Sequence, residues 1–208
     1  MASLAPTCER TVPVRSTDVA TRDTELHLTI EGDAGSTRWR VWMLGPGGPV
    51  RLEAGDQLRV DGRPMVAAGD DHTIVTPPEV DGAVLVYARQ GGAEDVALDV
   101  ELPPLTPLDL PGDIRRDEPL VVRWAPAPGR WATIVRVEGV CLAPIEVRFP
   151  PGEDDGATTI DLGDVARGGC PVAVRLTRLV ARELDAPPFA RAPSRILRAT
   201  EATIPVVD

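Results

Sequence analysis

Apolar and polar positions alternate with period two through most of the chain. "ELHLTIE" (Glu25 to Glu31) sets Leu26, Leu28 and Ile30 against polar neighbours. That spacing predicts a strand with one buried and one solvated face. "TRWRVWML" repeats it, with Trp39, Val41 and Met43 on one side and Arg38, Arg40 and Trp42 on the other. "GPGG" closes this strand as a turn. "PVRLEAGDQLRVDGRPMVAAGDD" predicts two or three short strands and a hairpin turn at Asp61-Gly62. "HTIVTP", "AVLVYARQ" and "DVALDVEL" carry the pattern to Leu102.

The pattern then breaks. "ELPPLTPLDLPGD" holds four prolines between Pro103 and Pro111, which predicts an extended, stiff linker. Beyond it come "EPLVVRW", "WATIVRVEGV", "IEVRF" and "TTIDLG", with "WATIVRVEGV" the longest clean strand. Residues 175–186 have a helix-compatible composition, but "VAVRLTRLV" alternates and is read as strand. "SRILRATEATIPVV" supplies one long or two short final strands. Parallel sheets need crossover helices of about a dozen residues, and none is visible. The sheets are therefore expected to be antiparallel. About seven short strands on each side of the linker fit the sandwich pattern. The fold expected is all-β: two immunoglobulin-like Greek-key β-sandwich domains in tandem, residues 1–102 and residues 103–208.

Composition supports strands. Apolar residues make up 43% of the 208 residues but aromatics only 3%, so the core falls to Val, Leu, Ile and Ala. The 22 prolines and 19 glycines leave little room for long helices. The net charge of -10, with arginines scattered rather than clustered, argues against a nucleic-acid partner and against anionic membrane surfaces. The chain contains no Lys, which removes P-loop, Schiff-base and kinase-type lysine chemistry. It contains no Asn, so it has no N-glycosylation acceptor. No apolar run approaches the roughly 18 residues of a spanning helix. "MASLAPTCERTVPV" lacks the regions of an intact signal peptide and reads as a start appended to a trimmed chain.

Cys141 follows one strand and Cys170 precedes another, beside Gly139 and Gly168-Gly169. Two rim cysteines in one unit are natural disulfide partners. The alternatives are separate thiols in a reducing compartment and a metal site, the last without a CxxC neighbour. Cys8 is left over, either as the site of a lipid anchor near a mature N-terminus or as an uninformative free thiol.

Candidate chemistry is thin. His27 falls on the polar face of its strand, with no nucleophile nominated to join it, and reads as a solvated histidine. His72 follows Asp70 and Asp71 in what reads as an acidic turn; the three could hold a divalent metal. Glu153, Asp154 and Asp155 read as a solvated acidic hairpin, without the ligand alternation of a calcium loop. There is no G-x-S-x-G elbow, H-E-x-x-H or dinucleotide fingerprint. The four Trp are not expected to sit near acidic pairs. Trp42, opposite Trp39 in facing, is the candidate for a surface contact with a partner.

The pattern "EPLVVRWAP…WATIVRVEGVC", followed by "TIDLGDVARGGCPVAVRLTRLVAREL", resembles a group of poorly characterised bacterial exported or lipoprotein-type proteins with two tandem β-sandwich domains. The matching positions are Trp124 and Pro126, Gly139 with Cys141, and Cys170 before "LTRLVARELD"; Glu183 stands where that group has glycine. The resemblance spans about residues 80–208. It implies export and a disulfide, and it brings no catalytic residue with it. The function expected is that of a non-catalytic exported binding or scaffold protein, periplasmic or at the cell surface, with a protein or cell-envelope partner. It would need no cofactor and no metal. The alternatives are a structural subunit of a cell-surface assembly and an enzyme whose site is built from loops.

Overall fold

The computed structural model describes residues 13–78, 82–89, 95–115, 118–127, 129–163, 170–184 and 186–207. These residues form an all-β structure whose only helical pieces are the 3-10 turns Ser16–Asp18 and Thr21–Asp23. The first half holds β1 (Val14–Arg15), β2 (Glu25–Gly32), β3 (Thr37–Gly45), β4 (Gly48–Arg51) and β5 (Gln57–Val60). It continues with β6 (Arg63–Pro64), β7 (Val66–Ala68), β8 (Asp71–Thr76), β9 (Gly82–Ala88) and β10 (Val96–Glu101). The second half holds β11 (Ile114–Arg115), β12 (Leu120–Arg123), β13 (Ala132–Gly139), β14 (Leu142–Phe149) and β15 (Ala157–Ile160). It ends with β16 (Pro171–Leu184) and β17 (Ala192–Val207). The Asp61-Gly62 hairpin forms as expected between β5 and β6. Both turn residues take positive φ, 47° and 76°, the geometry of a tight primed turn.

An eleven-stranded sheet runs through both halves in the order β1-β4-β3-β2-β17-β16-β13-β14, with β8 also on β3, β7 on β8 and β11 on β17. A four-stranded sheet, β10-β9-β5-β6, covers one part of it. The pair β12-β15 covers another. Two cores lie between these layers. The first joins Leu28, Ile30, Trp39 and Val41 of the long sheet to Leu58 and Leu85 of the four-stranded sheet. The second joins Val135, Val137 and Val174 to Leu120, Val122 and Ile160.

Two expectations about strands need correction. The longest strands are β16 and β17, at 14 and 16 residues, not the eight-residue β13. Parallel pairs also exist: β17 with β2, β11 with β17, and β1 with β4. No crossover helix is needed because the paired strands are not consecutive. β2 and β17 meet through the rest of the fold, at opposite ends of the chain.

The β16-β17 ribbon is paired without interruption from Pro171↔Pro205 to Leu184↔Ala192. Fourteen residues at about 3.4 Å each reach roughly 45 Å, enough to cross both cores. At one end Val172, Val174 and Ile204 sit in the second core. At the other, Ala186, Phe189 and Ile196 sit in the first, with the Phe189 ring 5.6 Å from that of Tyr87. The first core is therefore completed by residues from the end of the chain.

The Pro-rich segment has neither helix nor strand from Leu102 to Leu108, as an extended linker should. It is not a free spacer, however. Arg178 and Arg198 are directly opposed on the ribbon and almost wholly buried, at 1% and 2% exposure. Arg198 donates to the Pro103 carbonyl at 3.3 Å, and Arg178 to the carbonyls of Pro104 (3.2 Å) and Ala125. An extended backbone has no internal partner for its carbonyls, so buried ones need external donors. Inward arginines also explain why the apolar alternation of "VAVRLTRLV" stops after Leu176.

Candidate functional site

The first stretch of the long sheet has one face in the core and one outside. Trp39, Val41 and Met43 point inward, all at most 1% exposed, so Arg38, Arg40 and Trp42 point outward. Strand register places His27 beside Trp42 on one side and Asp71 on the other. The His27 and Trp42 rings stack with centroids 5.0 Å apart and planes 9° off parallel. Arg40 approaches the same indole, its guanidinium carbon 5.8 Å from the ring centre. Arg40 Nε donates to Asp71 Oδ2 at 2.6 Å, and a second Arg40 nitrogen pairs with the same oxygen. His27 Nε2 lies 3.0 Å from Glu25 Oε2. The result is a run Glu25-His27-Trp42-Arg40-Asp71 across three strands. It holds a half-exposed Trp in one orientation.

His27 is not the solvated histidine expected: the indole leaves it only 8% exposed. Its hydrogen-bond partner is Glu25, and no described hydroxyl or thiol bonds to it. The arrangement supplies aromatic surface, a cation and acceptors, which suit recognition.

The Asp70-Asp71-His72 cluster is split by the strand period. Asp71 faces outward to Arg40, whereas His72 lies opposite Val41 on the inward face of β8. It is not in a turn. Burial pushes the His72 imidazole below the ordinary histidine value of 6.5, with Asp71 opposing, and its Nδ1 has no partner among the described residues.

The second acidic cluster also differs from expectation. Asp154 is not solvated but collects four donors. Oδ1 accepts from Trp124 Nε1 (2.8 Å) and the Gly156 amide (2.9 Å); Oδ2 accepts from Thr133 Oγ1 (2.6 Å) and the Ala127 amide (3.1 Å). Burial alone would raise its carboxyl, but the bonds from Thr133, Ala127, Gly156 and Trp124 outweigh it and hold the group below the usual range. Both oxygens are committed to the fold. Trp124 thus bonds one acidic residue, Asp154, which the spacing of the four Trp gave no reason to expect. Among the described residues, no group of three or more His, Cys, Asp or Glu is placed to hold a metal ion.

Cys141 and Cys170 are bonded, with Cα atoms 6.3 Å apart. Pairing of Gly139 with Val172 brings the ends of β13 and β16 together and sets the two cysteines side by side. Gly139 allows this approach, since a Cβ there would stand 2.9 Å from the Pro171 carbonyl oxygen. Cys8, Gly168 and Gly169 lie outside the described residues. Among the described residues no helix is long and apolar enough to cross a membrane.

Sequence alone nominated Trp42 but not its setting. Periodicity places Trp42 and His27 on polar faces. Only the β2-β3 register makes them neighbours, and that register depends on the 33–36 loop and on which rows are buried.

No protein-family model matches the chain. No curated protein matches it. Among solved structures it is similar to the crystal structure of chicken CNTN1 FN1-FN3 domains, at 10% identity and a TM-score of 0.27. That match covers 86% of this chain, which spans 65% of the other. A likeness at that score carries no argument about function.

Proposed function

We propose that the protein is a non-catalytic exported binding or scaffold protein, periplasmic or at the cell surface. In this reading residues 1–102 and residues 103–208 each build an immunoglobulin-like Greek-key sandwich, the two in tandem with the β16-β17 ribbon shared between them. Trp42 contacts a protein or cell-envelope partner. Cys8 is the point for a lipid anchor. The observation that carries the binding role is the Trp42 indole, pinned between His27 and Arg40 on the face turned away from the core. A large aromatic side chain already held in place loses little freedom on binding. The Cys141–Cys170 bond supports an oxidising compartment, where structural disulfides persist.

The test is a photo-crosslinking residue placed at position 42 in the chain expressed in an oxidising compartment. One discrete crosslinked species is expected, lost when the same residue is moved to the solvent-exposed Val66. No species at position 42, or the same pattern from both positions, would end the reading.

One observation favours the alternative of a structural subunit. Among the described residues β14 pairs with β13 alone and forms the end of the long sheet, next to Val140 at 97% exposure. Pro144 within β14 supplies no amide hydrogen, which weakens that edge as a template for a further strand.

A further inference from the structure

The outer face continues past Trp42 toward the ribbon. Register sets Arg195 of β17 beside Thr29 of β2, and sets both Arg38 of β3 and Leu197 of β17 beside Glu31. Here the face sinks into a hollow of about 390 Å³, walled by Arg38, Arg175, Arg195, Glu31 and Asp33 over Leu197. Several other arginines of the long sheet are matched: Arg40 with Asp71, Arg136 with Glu138, Arg148 with Glu146. Arg38 and Arg195 have no ion-pair or hydrogen-bond partner among the described residues, and Arg175 reaches Glu201 only at 4.0 Å. Asp33 is already engaged: its Oδ1 accepts from the amides of Gly35 (2.8 Å) and Ser36 (2.9 Å), which hold the carboxyl below its usual range. Arg38 and Arg195 are thus two unmatched guanidiniums that line one hollow.

We propose that this hollow binds carboxylates presented by an extended acidic peptide segment of a partner protein. The proposal rests on the reading of the outer face as a binding surface, and it names the chemistry of the partner. A guanidinium fork matches a carboxylate through two parallel hydrogen bonds. Arg38 and Arg195 bring two forks without partners, which suit two singly charged carboxylates better than one phosphate dianion. Arg38 and Arg195 stand on strands separated by β2 and are offset by two residues along it, so their stems start about 12 Å apart. That is too wide for one carboxylate. Two long arginine side chains leaning toward each other from that separation reach carboxylates on alternate residues of an extended chain, about 7 Å apart. Leu197 offers an apolar floor for the methylene stems. The net charge of -10 opposes long-range attraction of an acidic partner, so recognition depends on contact at the hollow.

The experiment is amide NMR of the ¹⁵N-labelled full chain with its disulfide intact. It is titrated with a capped tetraglutamate peptide and separately with inorganic phosphate, both at a fixed ionic strength of about 150 mM. Saturable shifts are expected at Gly32, Arg38, Arg195 and their neighbours. Arg38→Gln and Arg195→Gln together should weaken peptide binding about tenfold, and Arg195→Lys by less. Both side chains are exposed, so the rest of the spectrum should be unchanged. Absence of saturable shifts, unchanged affinity in the double variant, or tighter binding of phosphate at the same residues would each overturn the proposal. Such a result leaves the crosslink at position 42 standing, whereas loss of that crosslink alone leaves the hollow standing.

Discussion

Asp154 shows how a single side chain can be misread when only its neighbours in sequence are visible. Between Glu153 and Asp155 it looks like part of a hydrated turn. In the fold it fastens the Trp124 indole, the Thr133 hydroxyl and two amides. Asp154→Ala should cost about 3 kcal/mol, measured by urea unfolding, because it strands partly buried donors. Glu153→Ala, at an exposed position, should stay within about 0.5 kcal/mol. Because the Asp154 carboxyl is held below its unfolded value of 3.8, its contribution is present above that pH and is lost as pH falls through its lower folded value. His72 acts in a different window. Burial lowers its folded value below 6.5, so the native state takes up fewer protons than the unfolded chain as pH drops past 6.5. Stability should decline from there downward. In His72→Gln the urea midpoint should fall less between pH 7 and pH 5 than in the parent; equal declines would refute this account of the histidine. Neither environment is readable from sequence. Each depends on partners about 20 to 40 positions away, brought in by strand pairing.

At the scale of elements the alternation was informative. The strand of "ELHLTIE", the inward row Trp39, Val41 and Met43, and the Asp61-Gly62 hairpin all form where period two and turn chemistry place them. Strand length and pairing were not legible. Arg178 interrupts the apolar row of β16, so the ribbon looks shorter in sequence than its 14 residues, although the buried guanidinium continues the inward face. The disulfide pairing was legible because both cysteines lie at strand ends. It closes a separation of 29 residues, worth about 3–4 kcal/mol by loop-closure entropy. Cys141→Ser, Cys170→Ser and the double variant should therefore lose similar amounts under non-reducing urea unfolding. Losses that add in the double variant would show that each cysteine acts through its own packing and not through the bond.

For the whole molecule, the ribbon changes what the Pro-rich segment means. Composition at Pro103 and Pro104 suggests two beads joined by a spacer. The fold instead lays that spacer against Arg178 and Arg198, and it passes one ribbon through both cores. Arg130 adds an ion pair to Glu101 across the same junction. Continuity of the long sheet fixes Trp42, Arg38, Arg195 and Arg175 relative to one another, which a hinged pair of domains would not do. The central claim is that the two cores unfold together. Two variants that each retain one tryptophan, Trp39 in the first core or Trp124 in the second, report the cores separately in urea. Each is measured with and without Ile204→Ala, a cavity in the second core expected to cost about 2–5 kcal/mol. The account predicts that Ile204→Ala lowers the Trp39 midpoint as much as the Trp124 midpoint. A shift confined to Trp124, with the Trp39 transition left in place, would contradict it.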